Sequence, residues 1–134
     1  MDYTQNLNLP QFEASDHIHH DDFNDAFRTL DAMPRIATGR YTGDGTYGSA
    51  HPITLTFDFQ PKVLLLFNCD GNSGMKAPML LIAPYTLQHF AAGTAGGAPI
   101  HVTWGENTVS WYNENSAIHQ FNHIYGENYY VALG

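Results

Sequence analysis

The chain has 134 residues and a formal net charge of −8 at pH 7, from 13 acidic and 5 basic residues. An acidic surface repels phosphate groups, so we expect neither nucleic acid nor an anionic membrane as a partner, and no stretch approaches the roughly 18 apolar residues of a membrane span. The length suits one hydrophobic core, and a charged fraction of only 13% favours a β-protein with a neutral polar surface over a helical enzyme.

Residues 1–37 form the first region, which holds seven of the 13 acidic residues and one predicted helix. Apolar residues recur at helical spacing from Ile18 to Ala32, with Ser15 or Asp16 as the N-cap and Pro34 as the stop. The apolar stripe comprises Ile18, Phe23, Phe27 and Leu30. A helix of this length is marginal alone, so we predict that the stripe is an oligomer interface and that the region serves attachment and trimerisation.

Three histidines, His17, His19 and His20, lie at the start of this helix. An H-x-H pair on an extended segment places two imidazoles on one side, and a three-fold axis would bring six nitrogens together. The alternative is a solvated polar run, because Asp21 and Asp22 follow directly. His17 and His19 are therefore weak candidates for a metal site, and no cofactor is predicted.

From Ile36 onward, short β-type runs replace the helical pattern. The run Val63–Phe67 is continuously apolar, which is typical of a central strand covered on both faces. Seven strands are predicted: Ile36–Thr42, Ile53–Phe59, Lys62–Asn68, Met79–Ala83, Ile100–Trp104, Thr108–Asn113 and Asn128–Leu133. The chain is thus predicted to be mainly β, with an antiparallel β-sandwich of seven or eight strands over residues 38–134, preceded by a short N-terminal α-helix.

The string G-D-G-T-Y-G, residues 43–48, matches the glycine fingerprint of dinucleotide-binding loops. That fingerprint requires a helix directly after it, whose N-terminus holds the phosphates. Here Pro52 and the alternating run Ile53–Phe59 predict a strand instead. We therefore interpret the glycines as positive-φ positions of a turn between strands.

Binding specificity is predicted to lie in loops. The candidates are residues 70–78, 88–99 and 114–127. In the last of these, His119 and His123 are spaced to align on one helical face as in zinc sites, but spacing supplies no third ligand, and a polar contact surface is the alternative. The predicted ligand-binding residues are Asn113, Asn115, His119, Asn122, His123 and Tyr125.

Five aromatic residues lie on predicted strands and have two possible roles. They are Trp104, Trp111, Tyr112, Tyr129 and Tyr130. Such residues form platforms on which sugars stack, or they pack in the core and between subunits, and their place on strands favours packing.

Nothing in the pattern of acids or nucleophiles indicates catalysis. Asp58, Asp70, Glu106 and Glu114 lie on separate turns, and Cys69 has no recognisable base partner. The protein is therefore predicted not to be an enzyme.

Four strings of the sequence resemble a small domain at the ends of tail-fibre and baseplate-associated proteins of phages and prophages of gut Firmicutes. They are Y-T-G-D-G-T-Y-G-S (Tyr41–Ser49), L-T-F-D-F-Q-P-K-V (Leu55–Val63), V-T-W-G-E-N-T-V-S-W-Y (Val102–Tyr112) and Y-Y-V-A-L-G (Tyr129–Gly134). The string F-N-D-A-F-R-T-L-D (Phe23–Asp31) resembles the short helix that often precedes such domains. More distantly, F-Q-P-K-V and Y-Y-V-A-L-G resemble H-type lectin-like sandwiches, which bind sugars as trimers or hexamers.

This resemblance implies a virion structural protein, made in the cytoplasm of a bacterial host and extracellular after release. It implies a homotrimeric tail-tip or fibre component that binds a bacterial surface saccharide as its receptor and docks onto other tail or baseplate proteins through residues 1–37. The alternative is a purely architectural baseplate or capsid-decoration subunit with no ligand. The chain departs from the family pattern at Ile118–Gly126, where small polar residues are usual.

Overall fold

The computed structural model of the chain describes residues 1–70, 74–75, 78–90 and 98–134. In these residues the protein is mainly β, with three antiparallel sheets and one helix, which confirms the predicted β class. The chain divides into two compact units, residues 1–34 and 35–134. This boundary precedes the predicted one at residue 37, because a strand already begins at Ile36 and pairs with the C-terminal strand from its first residue.

The elements of the first unit are two short strands and a helix: β1 (Asp2–Tyr3), β2 (Pro10–Gln11) and α1 (His20–Asp31). The described part of the second unit consists of strands and loops. Its strands are β3 (Ile36–Thr42), β4 (Ile53–Thr56), β5 (Val63–Asp70), β6 (Gly74–Met75), β7 (Met79–Ile82), β8 (Leu87–Phe90), β9 (Ala98–Trp104), β10 (Thr108–Tyr112) and β11 (Glu127–Leu133).

Helix α1 is shorter than the predicted span Ile18–Ala32, and its N-cap is His19 rather than Ser15 or Asp16. The backbone N–H of His19 donates to the Asp22 carboxylate at 3.1 Å, and acids in the first turn favour the positive end of the helix dipole. This contact forms one half of a capping box at the start of α1. No helix in the described ranges is long and apolar enough to cross a membrane.

The predicted interface residues of the first unit are exposed to solvent. None of the residues of α1 is buried, and Ile18, Phe23, Phe27 and Leu30 are each more than two-fifths exposed. Ring contacts join Phe12 to Phe23 at 5.2 Å between centroids, and Phe23 to Phe27 at 6.5 Å. The apolar stripe is therefore exposed on the surface of the first unit. Ile18 lies just before the helix rather than in it.

The larger sheet of the second unit has the order β3-β11-β5, with β6 and β7 both pairing with the other edge of β5. Strand β5 is therefore central, as its apolar run predicted. Leu64 and Leu66 on one face are fully buried, while Val63, Leu65 and Phe67 on the other are partly exposed. The prediction that both faces of this strand are covered is thus met on one face only within the described chain.

The smaller sheet has the order β4-β10-β9-β8. Trp111 of β10 lies opposite Ile53 of β4 and Val102 of β9, so one face of the sheet carries large apolar side chains. Those side chains pack in the same hydrophobic cluster as the inner face of the larger sheet. The buried members of the cluster are Phe57, Leu64, Leu66, Met79, Leu81, Ile100, Val102, Val109, Trp111, Phe121 and Ala132.

Each of the seven predicted strands overlaps an observed one, but the described residues of the second unit contain nine strands rather than seven or eight, and those of the first unit contain two more. The additional strands, β1, β2, β6 and β8, are two to four residues long, too short for an alternating pattern to be read. β4 ends at Thr56 rather than Phe59, although the backbone N–H of Phe57 still bonds the carbonyl of Asn107 in the neighbouring hairpin loop at 2.8 Å.

The glycine-rich string at residues 43–48 is a turn between β3 and β4, as predicted, and no helix follows it. Gly45 and Gly48 have positive φ angles of 82° and 91°. Gly43 does not adopt a positive φ. Glycine is required there by close approach, since a Cβ on Gly43 would collide with the carbonyl oxygen of His123.

Candidate functional site

Buried amide side chains join two loops of the second unit. The first loop, residues 43–52, follows β3, and the second, residues 113–126, precedes β11. Asn113, Gln120 and Asn122 are buried, and every buried side-chain polar atom in the described residues has a hydrogen-bond partner. Since loss of such a buried amide would leave buried polar groups unpaired, these amides hold the loops in one arrangement.

Gln120 connects three backbone segments. Its Oε1 accepts from the backbone N–H of Gly48 at 3.0 Å and of Asn113 at 2.9 Å, and its Nε2 donates to the carbonyl of His51 at 2.7 Å. Its own carbonyl accepts from the indole N–H of Trp111 at 3.0 Å. The first loop is thereby tied to the hydrophobic core.

Asn122 fixes the tip of the first loop. Its Nδ2 donates to Asp44 Oδ1 at 2.7 Å and to the carbonyl of Thr46 at 2.9 Å, and its Oδ1 accepts from the backbone N–H of Asp44 at 3.2 Å. The backbone N–H of Gly45 donates to the carbonyl of Asn122 at 2.8 Å. The positive φ of Gly45 makes this tight turn possible.

Asp44 is held in its ionised form. Thr46 donates to Oδ1 through its hydroxyl at 2.7 Å and through its backbone N–H at 2.9 Å. These two bonds, followed by the Asn122 amide and the charge of His51, hold the pKa of Asp44 below its ordinary value of 3.8. Oδ1 receives all of these bonds and Oδ2 receives none from the described residues, so one anionic oxygen on an exposed side chain is open to a ligand.

A cleft of about 430 Å³ opens beside Asp44. Its lining residues are Tyr41, Asp44, Thr46, Ala50, His51, Pro52, Ile53, Thr54, Leu55 and Asn122. The hydroxyl of Tyr41 donates to the carbonyl of Phe121 at 2.7 Å, and burial raises the pKa of Tyr41, so this group is a neutral structural donor. The cleft combines one carboxylate, hydroxyls and an imidazole with apolar walls, which suits a ligand with both hydroxyl groups and C–H faces.

Tyr125 does not line this cleft, but its backbone is bonded to the residue that precedes Asp44. Its N–H donates to the carbonyl of Gly43 at 3.0 Å, and the N–H of Gly43 donates to the carbonyl of Gly126 at 2.8 Å. Gly43 directly precedes Asp44 in the chain. Tyr125 has a positive φ of 60° and is 82% exposed. For a non-glycine residue this backbone conformation costs roughly 1–3 kcal/mol, and an exposed ring recovers little of that by packing.

The structure places the six predicted ligand-binding residues in one loop but in different environments. Asn113 and Asn122 are buried, and Asn113 bonds the carbonyl of Pro99 at 2.8 Å, so its amide serves the fold. Asn115, His123 and Tyr125 are exposed, and His119 is half-buried. Of these six residues, only Asn122 lines the cleft.

The alternative in which His119 and His123 align on one helical face is not present in the structure. Residues 117–126 form successive turns rather than a helix, and Phe121, between the two histidines, has a positive φ of 61°. That φ lies outside the helical region, so the four-residue spacing does not place both rings on one side. Among the described residues, no group of three or more His, Cys, Asp or Glu side chains is arranged to hold a metal ion.

Part of the sequence-based prediction concerns residues outside the described ranges. Residues 71–73, 76–77 and 91–97 belong to the two other loops predicted to carry specificity, and they are not part of the structure described here. His17 and His19, the weak metal candidates, are exposed side chains before α1.

Most of the five aromatic residues on strands pack against other side chains. Trp111 is fully buried, and Trp104 and Tyr130 are partly buried against the core. Tyr112 stacks on His101 with ring centroids 4.7 Å apart. Tyr129 is exposed on the outer face of the larger sheet.

Sequence reasoning did not find Asp44, Thr46, His51 and Gln120 as members of a site. The string Asp44-Gly45-Thr46 carries a local signal, because an Asp side chain that bonds the backbone two residues later is typical of tight turns. The bond between Asp44 and Asn122 joins positions 78 residues apart, so no short stretch of the sequence indicates it.

Replacement of Thr46 by valine should raise the pKa of Asp44 towards 3.8, because it removes the hydroxyl that contributes most to lowering it. The stabilisation carried by the ionised carboxylate is present at neutral pH and is lost as the pH falls through the lowered pKa of the folded state. A carbon-detected NMR titration of the Asp44 carboxyl measures this shift. Thr54→Val is the matched control, because Thr54 lines the same cleft but donates to Ser110; equal titration of Asp44 in all three proteins would refute the assignment.

Comparison of the chain with protein-family models, with curated proteins and with solved structures found no match.

Proposed function

We propose that this protein is a non-enzymatic component of a phage virion, located at the tail tip or fibre, that binds a bacterial surface saccharide in the Asp44 cleft. In this proposal residues 38–134 form a two-layer β-sandwich, with the larger and smaller sheets as its layers. The proposal draws on the resemblance of four strings of the sequence to tail-associated domains. It draws equally on the chemistry of the cleft.

The observation that carries the binding role is the carboxylate of Asp44. Its Oδ1 is saturated by Thr46 and Asn122, which fixes its orientation, and its Oδ2 has no donor among the described residues. A preorganised, ionised acceptor forms charge-assisted hydrogen bonds with hydroxyl groups without first having to be ordered. Adjacent sugar hydroxyls supply such donors.

The rest of the cleft fits a sugar better than a charged or wholly apolar ligand. The hydroxyl oxygens of Thr46 and Thr54, whose protons are donated to Asp44 and Ser110, offer acceptors, and the imidazole of His51 offers a further polar group, while Ala50 and Pro52 are apolar. A volume of about 430 Å³ lies at the lower end of ligand pockets and suits one or two sugar rings. The exposed ring of Tyr125, on its strained backbone, is suited to stacking against the C–H face of a second ring.

A shallow site of this kind binds weakly, so the proposal includes a homotrimer. Three weak sites on one particle gain avidity through a high effective concentration. The exposed stripe of α1 supports the view that residues 1–37 contribute to trimerisation and to docking onto other tail or baseplate proteins. The protein would then be made in the cytoplasm of the bacterial host and be extracellular after release of the virion.

The test is glycan-array binding of the purified protein and of two variants. Asp44→Asn keeps the size of the side chain and an acceptor at Oδ1, but replaces the open anionic oxygen by an amide donor. We expect it to weaken saccharide binding at least about tenfold, equivalent to roughly 1.4 kcal/mol. Asp58→Asn is the matched control, because this exposed carboxylate lies 3.6 Å from Arg35 and does not line the cleft.

A third variant, Tyr125→Ala, separates stacking from hydrogen bonding. Loss of an aromatic platform worth roughly 0.5–1.5 kcal/mol should reduce affinity about 2–10-fold. Binding by wild-type protein that is unchanged in Asp44→Asn would exclude this cleft as the site. A wild-type protein that binds no saccharide but docks to a virion protein through residues 1–37 would favour the architectural alternative.

A further inference from the structure

The two sheets of the second unit differ in the chemistry of their outer faces. Strand residues alternate between inner and outer faces, so the outer positions follow from the burial pattern and the register. On the smaller sheet those whose side chains are described are Thr54, Thr56, Leu87, Pro99, His101, Thr103, Thr108, Ser110 and Tyr112. Thr54 even donates to Ser110 across the strands at 3.0 Å. This face is mainly polar, as expected of a sheet with one face in water.

The outer face of the larger sheet is apolar instead. Three rows cross its strands in register. The rows are Ile82-Val63-Leu133-Ile36, Leu80-Leu65-Val131-Thr38 and Phe67-Tyr129-Arg40. Ile36 is 68% exposed and Leu80 50% exposed, and Ile82, Tyr129 and Leu133 are also exposed. A contiguous apolar surface of this kind on a folded chain marks a contact surface.

The charges on this face are few and balanced. Its outward strand positions in the described residues include one basic side chain, Arg40, and one acidic side chain, Glu127, which accepts from the Thr42 hydroxyl at 2.9 Å. The whole chain, by contrast, has a net charge of −8. Two copies of an acidic protein repel each other over most of their surface, and repulsion is smallest where the local charge is balanced. The face is therefore suited to contact with another copy of the same chain.

We propose that the outer face of the larger sheet is a contact surface between copies of this chain, with three such faces turned towards the axis of the homotrimer. This inference rests on the oligomer of the proposed function and places part of its interface on the sheet. Around a three-fold axis each sheet contacts both neighbours, and the apolar rows enclose a common interior. The outward strand positions described for this face offer few polar groups to a saccharide.

The size of the face is consistent with a partial interface. With strands about 4.8 Å apart and a rise of about 3.4 Å per residue, the four strands β3, β11, β5 and β7, of four to eight residues each, cover roughly 420 Å². One partner of a standard stable interface contributes about 800 Å². The sheet face thus supplies about half of such a contact, and the exposed stripe of α1 is available for the rest.

Sedimentation equilibrium of the full chain at several concentrations tests this proposal. We expect the wild-type protein to have the mass of a trimer, and Leu80→Lys or Ile36→Lys to raise the dissociation concentration at least tenfold, because a charge would be buried among apolar side chains. Leu87→Lys is the matched control: Leu87 is 51% exposed, like Leu80, but lies on the polar outer face of the smaller sheet. Circular dichroism of each variant shows that the subunit is folded.

The outcomes separate this proposal from the proposed function. A monomeric wild-type protein, or a trimer that survives both Leu80→Lys and Ile36→Lys, would overturn the sheet contact. A trimer lost in Phe27→Lys but kept in the two sheet variants would assign the interface to α1 alone. Saccharide affinity per subunit, measured by calorimetry, depends on the cleft, so a folded Leu80→Lys variant that still binds sugar would leave the binding function intact.

Discussion

Replacement of Gln120 by leucine should lower the free energy of unfolding by about 3 kcal/mol. The change leaves the buried N–H of Asn113 without its acceptor, and removes the bond to the carbonyl of His51. Gly48 keeps a second acceptor, the carbonyl of Asn113 at 2.9 Å, which limits the loss. Urea denaturation monitored by circular dichroism measures the effect.

Two further variants make this result specific. Gln120→Glu keeps the acceptor but brings a carboxylate into a buried site, so it should also destabilise at pH 7 and recover partly at lower pH, when the protonated acid can donate to His51. Gln60→Leu, at an exposed position, should change stability by less than about 0.5 kcal/mol. A Gln120→Leu protein as stable as the control would mean that the amide does not hold the loops together.

Replacement of Trp111 by alanine should be more damaging, with a loss of about 3–5 kcal/mol. The ring is fully buried in the cluster shared by the two sheets, contacts Tyr41 at 6.3 Å between centroids, and donates to the carbonyl of Gln120. The substitution creates a large cavity and removes the link between the core and the second loop. Since domains of this size are stable by about 5–15 kcal/mol, the variant is expected to be partly unfolded at 37 °C.

Thermal denaturation with intrinsic fluorescence tests this expectation. Trp111→Phe should have an intermediate effect, because it keeps an aromatic ring in the core but loses the indole N–H that bonds Gln120. Tyr85→Ala, at a position 64% exposed, provides an aromatic deletion outside the core and should be close to wild type. A Trp111→Ala protein with the same melting temperature as the Tyr85→Ala protein would contradict the assignment of Trp111 to the core.

Both predictions link stability to the candidate site. Gln120 lies two residues before Asn122, which orients Asp44, and Trp111 bonds the carbonyl of Gln120. Loss of either residue is therefore expected to release the first loop and, if the cleft binds a saccharide as proposed, to weaken that binding in proportion to the fraction of protein in which the loops are open.

Local features of the chain were predicted well where a strand or turn leaves a periodic signal. Ile36–Thr42 has the predicted bounds, and Val63–Phe67 lies at the centre of its sheet. The turn at residues 43–48 was predicted from its glycines and from the strand pattern after Pro52. In the structure two of these glycines have positive φ, and a strand follows Pro52. Such signals depend on residues that are neighbours in the sequence, so the sequence alone carries them.

The helix boundary and the histidine pair show where the same reasoning fails. His19 is the N-cap because its N–H meets Asp22, although Ser15 and Asp16 belong to the residue types that cap helices most often. His119 and His123 have helical spacing, but the backbone between them turns at Phe121 to reach the hydroxyl of Tyr41, 80 residues away. In the first case a contact three residues away outweighs the more common capping residues, and in the second a long-range contact accompanies the turn.

By itself, the sequence determined the mainly β class, the places of the longer strands, the turn at residues 43–48 and the acidic first region, because each depends on side-chain alternation, glycine geometry or charge within a short stretch. Only the tertiary structure decided that Gln120 and Asn122 are structural amides, that Asp44 is an oriented anion beside a cleft, and that one sheet has an apolar outer face. These features arise from bonds across 72 and 78 residues and from strand register, which exist only once the chain has folded.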